Sequence, residues 1–154
     1  MFKATRQLIQ ERQKYSEYVL EVVNVERRPT MAMGRCLRNS DEFIAGNDNL
    51  MLVSGWLVYP YNEQTKSTEI VQHWWNFSIS EAQHFDVTIG NFNDCEYVFD
   101  IALHEYASHN HDNIASTVGK SLLLKDGKFQ AVEEISGELK RSDIASLETK
   151  NIFR

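Results

Sequence analysis

The sequence predicts an α+β fold, with N-terminal helices packed on a mostly antiparallel sheet. Three observations carry that expectation. Apolar residues recur at helical spacing near the N-terminus, whereas strand-like runs fill most of the region after Leu50. Asp126-Gly127, flanked by apolar residues, is the strongest short hairpin signal in the chain. The length of 154 residues and the hydrophobic fraction of 42% suit one domain, 1–154, with one core.

Taken in order, Leu8, Ile9, Tyr15, Val19 and Val22 alternate with charged residues and predict an amphipathic helix over 3–23. Pro29 and Thr30 mark 24–33 as a connecting loop. Gly34 allows a sharp backbone entry to a short helix over 36–46, which stops at Gly46-Asn47-Asp48-Asn49. Residues 50–59 are apolar on both faces, as a central, doubly covered strand would be. A polar loop at 60–68 leads to two strands, 69–78 and 82–89, joined by a turn around Ile79-Ser80. Tyr97, Phe99, Ile101 and Leu103 alternate, which favours a strand over 95–106. A loop at 108–113, a hairpin over 121–134 and a short helix over 142–147 complete the chain.

The formal charge of −6 and the scattered basic residues argue against a nucleic-acid surface. Arg27-Arg28, the tight basic pair before residue 36, reads as a solvated loop. A polar start and the lack of a long apolar run point away from a secretory leader and a membrane span. Two cysteines, Cys36 and Cys95, do not make a disulfide framework, and a cytoplasmic location with free thiols is expected.

Gly34-Arg35-Cys36 is where chemistry is expected. A thiol at a helix start lies near unpaired backbone N–H groups and the positive end of the helix dipole, which favour a thiolate and an oxyanion. Arg35 adds positive potential and is a candidate substrate contact. The other partners follow from hairpin arithmetic. If the turn centres on Ile79-Ser80, facing residues have numbers summing to 159, so His73 lies opposite Asp86 and Trp75 opposite His84. Asp86 would then orient the ring that serves the Cys36 sulfur, and Trp75 would wall the site beside it. Trp56 and Trp74 read as core, and Cys95 as a packing residue or exposed thiol.

In this order, Gly34-Arg35-Cys36, Val53-Ser54-Gly55-Trp56, His73-Trp74-Trp75 and Phe85-Asp86-Val87-Thr88 resemble the transglutaminase-like core of the papain-like cysteine protease superfamily. The resemblance covers roughly residues 30–89. Its spacings, 37 residues from Cys to His and 13 from His to Asp, are those of such a core. It implies Cys36 as nucleophile, His73 as general base and acid, and Asp86 as the orienting carboxylate. It further implies a reaction type, acyl transfer or hydrolysis at an amide as in proteases, deamidases and transglutaminases, without naming a substrate. Asp86-Val87-Thr88 departs from the family's Asp-Pro-Thr, and a bulky Trp74 follows the histidine. No cofactor and no metal are needed, and the acidic surface suits a protein, peptide or small amide substrate.

Two alternatives remain open at this level. One is a non-catalytic interaction module on the same scaffold. The other is a metal-dependent hydrolase using His104, Glu105, His109, His111 and Asp112, although His104 and His109 are one residue too far apart for the zinc-protease helix.

Overall fold

A computed structural model describes residues 1–14, 20–101, 104 and 121–131. The element order is α1 (Lys3–Gln13), β1 (Leu20–Val23), β2 (Val25–Met31), α2 (Cys36–Ile44), β3 (Leu50–Val58), β4 (Ser67–Ser78), β5 (Gln83–Thr88), β6 (Glu96–Asp100), β7 (Ser121–Lys125) and β8 (Lys128–Ala131). The α+β expectation therefore holds: among the described residues, helices α1 and α2 accompany one large, mainly antiparallel sheet. Its strand order is β1-β6-β3-β4-β5-β2, and β7 and β8 extend from β4.

The 12-residue strand β4 organises the sheet. Along one edge it pairs with β3 from Ile70 to Ser78. Along the other it pairs first with β7, through Val71, and then with β5, from Asn76 onward. Residues 72–75 on that second edge fall between the two ladders. This gap is where the candidate site forms.

Two expectations for the N-terminal region are corrected. The helix expected over 3–23 ends at Gln13, and Leu20–Val23 is a strand antiparallel to β6. Leu20, Val22 and Val23 match a helical period by position, but β-branched residues in a short run favour a ladder when a partner strand is available. The loop expected over 24–33 contains β2, which runs parallel to β5. Pro29 falls where the β2–β5 register shifts, between Arg27 and Met31, so its missing N–H is tolerated at an irregular sheet edge. Strands β3 and β4 match expectation closely. The hairpin β7–β8 turns at Asp126-Gly127 with φ of 50° and 72°, the left-handed pair that a two-residue hairpin turn requires. Of the strand expected over 95–106, the first part is β6, with Ile101 and His104 in helical conformation. The loop at 108–113 and the helix at 142–147 lie outside the described residues.

Both helices cover one face of the sheet. Ala4 and Leu8 of α1 pack with Trp56, Val58, Ile70, Val98 and Leu122. Each fully buried Leu or Ile side chain there contributes about 2 kcal/mol from apolar burial alone. Leu37 of α2 packs on Trp74 of the same face, and the amide Nδ2 of Asn76 donates to the Ser40 carbonyl at 3.0 Å. The opposite face carries a second cluster built on Val53, Leu57, Trp75 and Tyr97. His73, Asp86 and Arg27 belong to that face, because they alternate with residues facing the helices. Among the described residues, no helix is long and apolar enough to cross a membrane.

Candidate active site

The site is assembled from α2, β4 and β5. Gly34 adopts φ of 74°, a left-handed conformation that lets the chain leave β2 and enter α2 abruptly. The first helical hydrogen bond runs from Asn39 N to Arg35 O, 2.8 Å, so the N–H groups of Cys36, Leu37 and Arg38 have no acceptor within the helix. Asn39 anchors this turn: its buried Nδ2 donates to Ala32 O at 2.6 Å and to Thr88 Oγ1 at 3.2 Å, tying the approach to α2 to the end of β5.

Cys36 is half-buried and its thiol lies beside the His73 ring, close enough for the ring's charge to favour the thiolate. The two residues come from opposite faces of the sheet and meet at the gap in the edge of β4. Tyr59 N bonds Glu69 O across β3 and β4, so by alternation the even-numbered residues of β4 turn their N–H groups to its other edge. At the gap, Trp74 has no ladder partner on that edge, and its N–H is placed to favour a charged Cys36 sulfur.

His73 is 3% exposed. Its Nε2 lies 2.7 Å from Asp86 Oδ2, which leaves Nδ1 as the nitrogen available to the thiol. The ring is held by neighbours on three sides: Trp75 stacks at 6.4 Å, and Phe92 and Tyr97 meet it edge-on at 5.0 and 6.0 Å. Asp86 is fully buried. Its Oδ1 accepts from Thr88 N at 2.9 Å, and its Oδ2 accepts from the Tyr97 hydroxyl at 2.6 Å. Arg27 Nη1 forms an ion pair with the same Oδ2 at 2.7 Å.

The hairpin register differs from expectation by two residues. Facing pairs are Asn76 with Phe85, Phe77 with His84 and Ser78 with Gln83, so their numbers sum to 161 rather than 159. A two-residue shift keeps every side chain on its face. His73 and Asp86 therefore still meet, diagonally, as do Trp75 and His84, whose indole Nε1 donates to Nδ1 at 3.0 Å.

The electrostatics follow from this packing. Burial pushes the Cys36 thiol up, but the adjacent His73 charge and hydrogen bond outweigh it, helped by the Trp74 N–H, and hold the thiol below its usual value. Burial disfavours a charged His73 ring, yet the Cys36 thiolate and the Asp86 carboxylate lift it to about 9. Burial also works against the Asp86 carboxylate. Its bonds to His73, Tyr97 and Thr88 hold it below the usual carboxylate range. The three shifts share one sense: each favours the charged form of its group, thiolate, imidazolium and carboxylate. Cys95 behaves oppositely: burial pushes its thiol up to about 11.

Of the expected substrate contacts, Arg35 is exposed beside Cys36. Trp75 is fully buried and has no surface on which a substrate can lie, so it positions the imidazole rather than walling a cleft. Arg27 is a correction: it is not a solvated loop residue but a half-buried partner of Asp86, while Arg28 lies over the Phe85 ring at 4.4 Å. Arg27 and Tyr97 are site residues that the sequence reading missed. The signal for Tyr97 was its place in an alternating strand; Arg27 required the parallel pairing of β2 with β5. Of the His104–Asp112 metal candidate, only His104 is described. Among the described residues, no group of three or more His, Cys, Asp and Glu is arranged to hold a metal ion. No protein-family model matches this chain, and neither does any curated protein or solved structure.

Proposed function

We propose that this protein performs thiol-dependent acyl transfer or hydrolysis at an amide or ester carbonyl, on a transglutaminase-like scaffold. The observation that carries the reading is the continuous row from Cys36 sulfur to His73 ring to Asp86 carboxylate, built at a helix N-terminus. The Cys36 thiolate attacks the carbonyl carbon. The resulting oxyanion is stabilised by the unpaired N–H groups of the first turn of α2. As the tetrahedral intermediate collapses, the His73 imidazolium gives its proton to the leaving amine, and a thioester remains on Cys36. Water or an acceptor amine then attacks. The now neutral His73 takes its proton, the thiolate leaves, and the imidazolium is restored. Asp86 keeps the ring oriented throughout and stabilises its charge. This cycle uses no cofactor. Arg35, exposed beside the sulfur, is a candidate contact for the substrate.

The test is acyl-enzyme formation with p-nitrophenyl acetate. The expected result is a burst of p-nitrophenol, an acetyl group on the Cys36 peptide, and its loss by hydrolysis. Cys36→Ser should abolish the adduct, and His73→Ala should slow its formation by at least about a hundredfold. Equal labelling of Cys36 and Cys95, unaffected by His73→Ala, would leave a non-catalytic interaction module.

A further inference from the structure

A charged group beyond the three reacting residues completes the row. The Arg27 guanidinium lies at the end of the sequence Cys36, His73, Asp86, Arg27, so that negative and positive groups alternate. Its position is over-determined. Nη1 meets Asp86 Oδ2 at 2.7 Å and donates to the Tyr97 hydroxyl at 3.3 Å. Nη2 donates to Thr88 O at 2.7 Å and to Gly90 O at 3.4 Å. The Phe92 ring, which also meets His73 edge-on, lies 4.8 Å from the guanidinium carbon. Arg27 therefore grips the carboxylate, the end of β5 and the aromatic ring against the imidazole at once.

We infer that Arg27 is a positioning residue of this site, one that fixes the Asp86 carboxylate and balances its charge so that the Cys36–His73 pair sits beside a compensated acid. The inference rests on the thiol reading above and adds a residue to it. Without Arg27, the cluster of Cys36, His73 and Asp86 gains one net negative charge. Every proton in it is then held more tightly. The thiol would ionise at higher pH, and the imidazolium would persist to higher pH. The other groups around the row are accounted for. From β6, Tyr97 is a neutral donor whose ionisation burial and Asp86 oppose. Cys95, in the loop before β6, feels the charges of both Arg27 and Asp94. Glu26 and Arg28 on β2 pair with each other at 2.7 Å.

The experiment is the pH profile of iodoacetamide alkylation, read separately on the Cys36 and Cys95 peptides by mass spectrometry. Wild-type Cys36 should show an acid limb well below that of a free thiol. Arg27→Met should move that limb about one pH unit upward, the effect of one unit charge at the effective dielectric of a buried site. Arg27→Lys, which keeps the charge, should restore at least half of the shift. If Arg27→Met does not fold, Asp86→Asn is compared with the pair Arg27→Met/Asp86→Asn, which leaves no unpaired buried carboxylate. The single variant, with its uncompensated guanidinium, should then have the lower limb. An unmoved limb in Arg27→Met, or coincident limbs in the second comparison, overturns the role of Arg27 while the thiol reading survives. A wild-type Cys36 that titrates like free cysteine overturns the thiol reading itself.

Discussion

At the scale of single residues, the two cysteines, one opening α2 and one just before β6, differ in surroundings, and the difference is measurable. Cys36 sits beside the His73 ring, whereas at half-buried Cys95 desolvation and the Asp94 charge outweigh the charge of Arg27. At pH 7, iodoacetamide should label Cys36 well ahead of Cys95, as peptide mass spectrometry would record. Stability should also follow pH with a definite sign. The His73 contribution is full below its unfolded value of about 6.5 and is lost as pH rises through about 9. The Cys36 contribution is present above the unfolded thiol value of about 8.5 and is lost as pH falls through its depressed folded value. Asp86 adds a loss in acid of the same kind. The sum is lowest in acid, and above about 8.5, where the Cys36 gain is complete, the continuing His73 loss makes it decline until about 9. Urea midpoints across this range would trace it, and the alkaline decline should shrink in Cys36→Ser. At this scale the sequence was informative where chemistry is local. A cysteine after Gly34 at a helix start, and a His and an Asp on adjacent strands, were legible. Arg27 was not, because its partner is reached only through a parallel pairing with no local turn to announce it.

At the scale of elements, the close approach of strands puts a demand on one glycine. A Cβ at Gly55 would lie 2.0 Å from the Val98 carbonyl oxygen and 2.7 Å from Cη2 of Trp75. Neither a backbone carbonyl in β6 nor a fully buried indole can move aside cheaply. Gly55→Ala is expected to cost about 3 kcal/mol or more, seen as a lower denaturation midpoint with an unchanged urea slope. Asn39 offers a milder case. Removing its buried amide in Asn39→Ala frees the approach to α2 from Ala32 and Thr88, and should cost about 1–3 kcal/mol. Strands β3, β4 and β5 and the Asp126-Gly127 hairpin were legible because alternation and turn residues are short-range signals. The end of α1 and the existence of β1 and β2 were not. Val22 fits both periods, and only the presence of β6 decides between them.

At the scale of the whole molecule, α1 is fastened to the sheet by a buried polar joint. Arg12 Nε and Nη2 meet the two oxygens of Asp100 at 2.7 and 3.0 Å, and Trp56 Nε1 donates to the same carboxylate at 2.9 Å. Arg12→Ala strands that carboxylate in the core and should cost about 3–5 kcal/mol in chemical denaturation. The general arrangement of helices on a sheet was readable from composition and periodicity. That both helices share one face, with the imidazole and carboxylate on the other, was not, since no stretch of sequence states which side a crossover takes. The arrangement has a thermal consequence. The sulfur and the ring reach each other only through a four-residue window in one strand's border, flanked by two separate hydrogen-bonded ladders. Fraying of either ladder pulls the two groups apart while the helix-covered side stays packed. On heating, the fast alkylation of Cys36 should therefore revert to that of an ordinary thiol several degrees before circular dichroism records the cooperative melt.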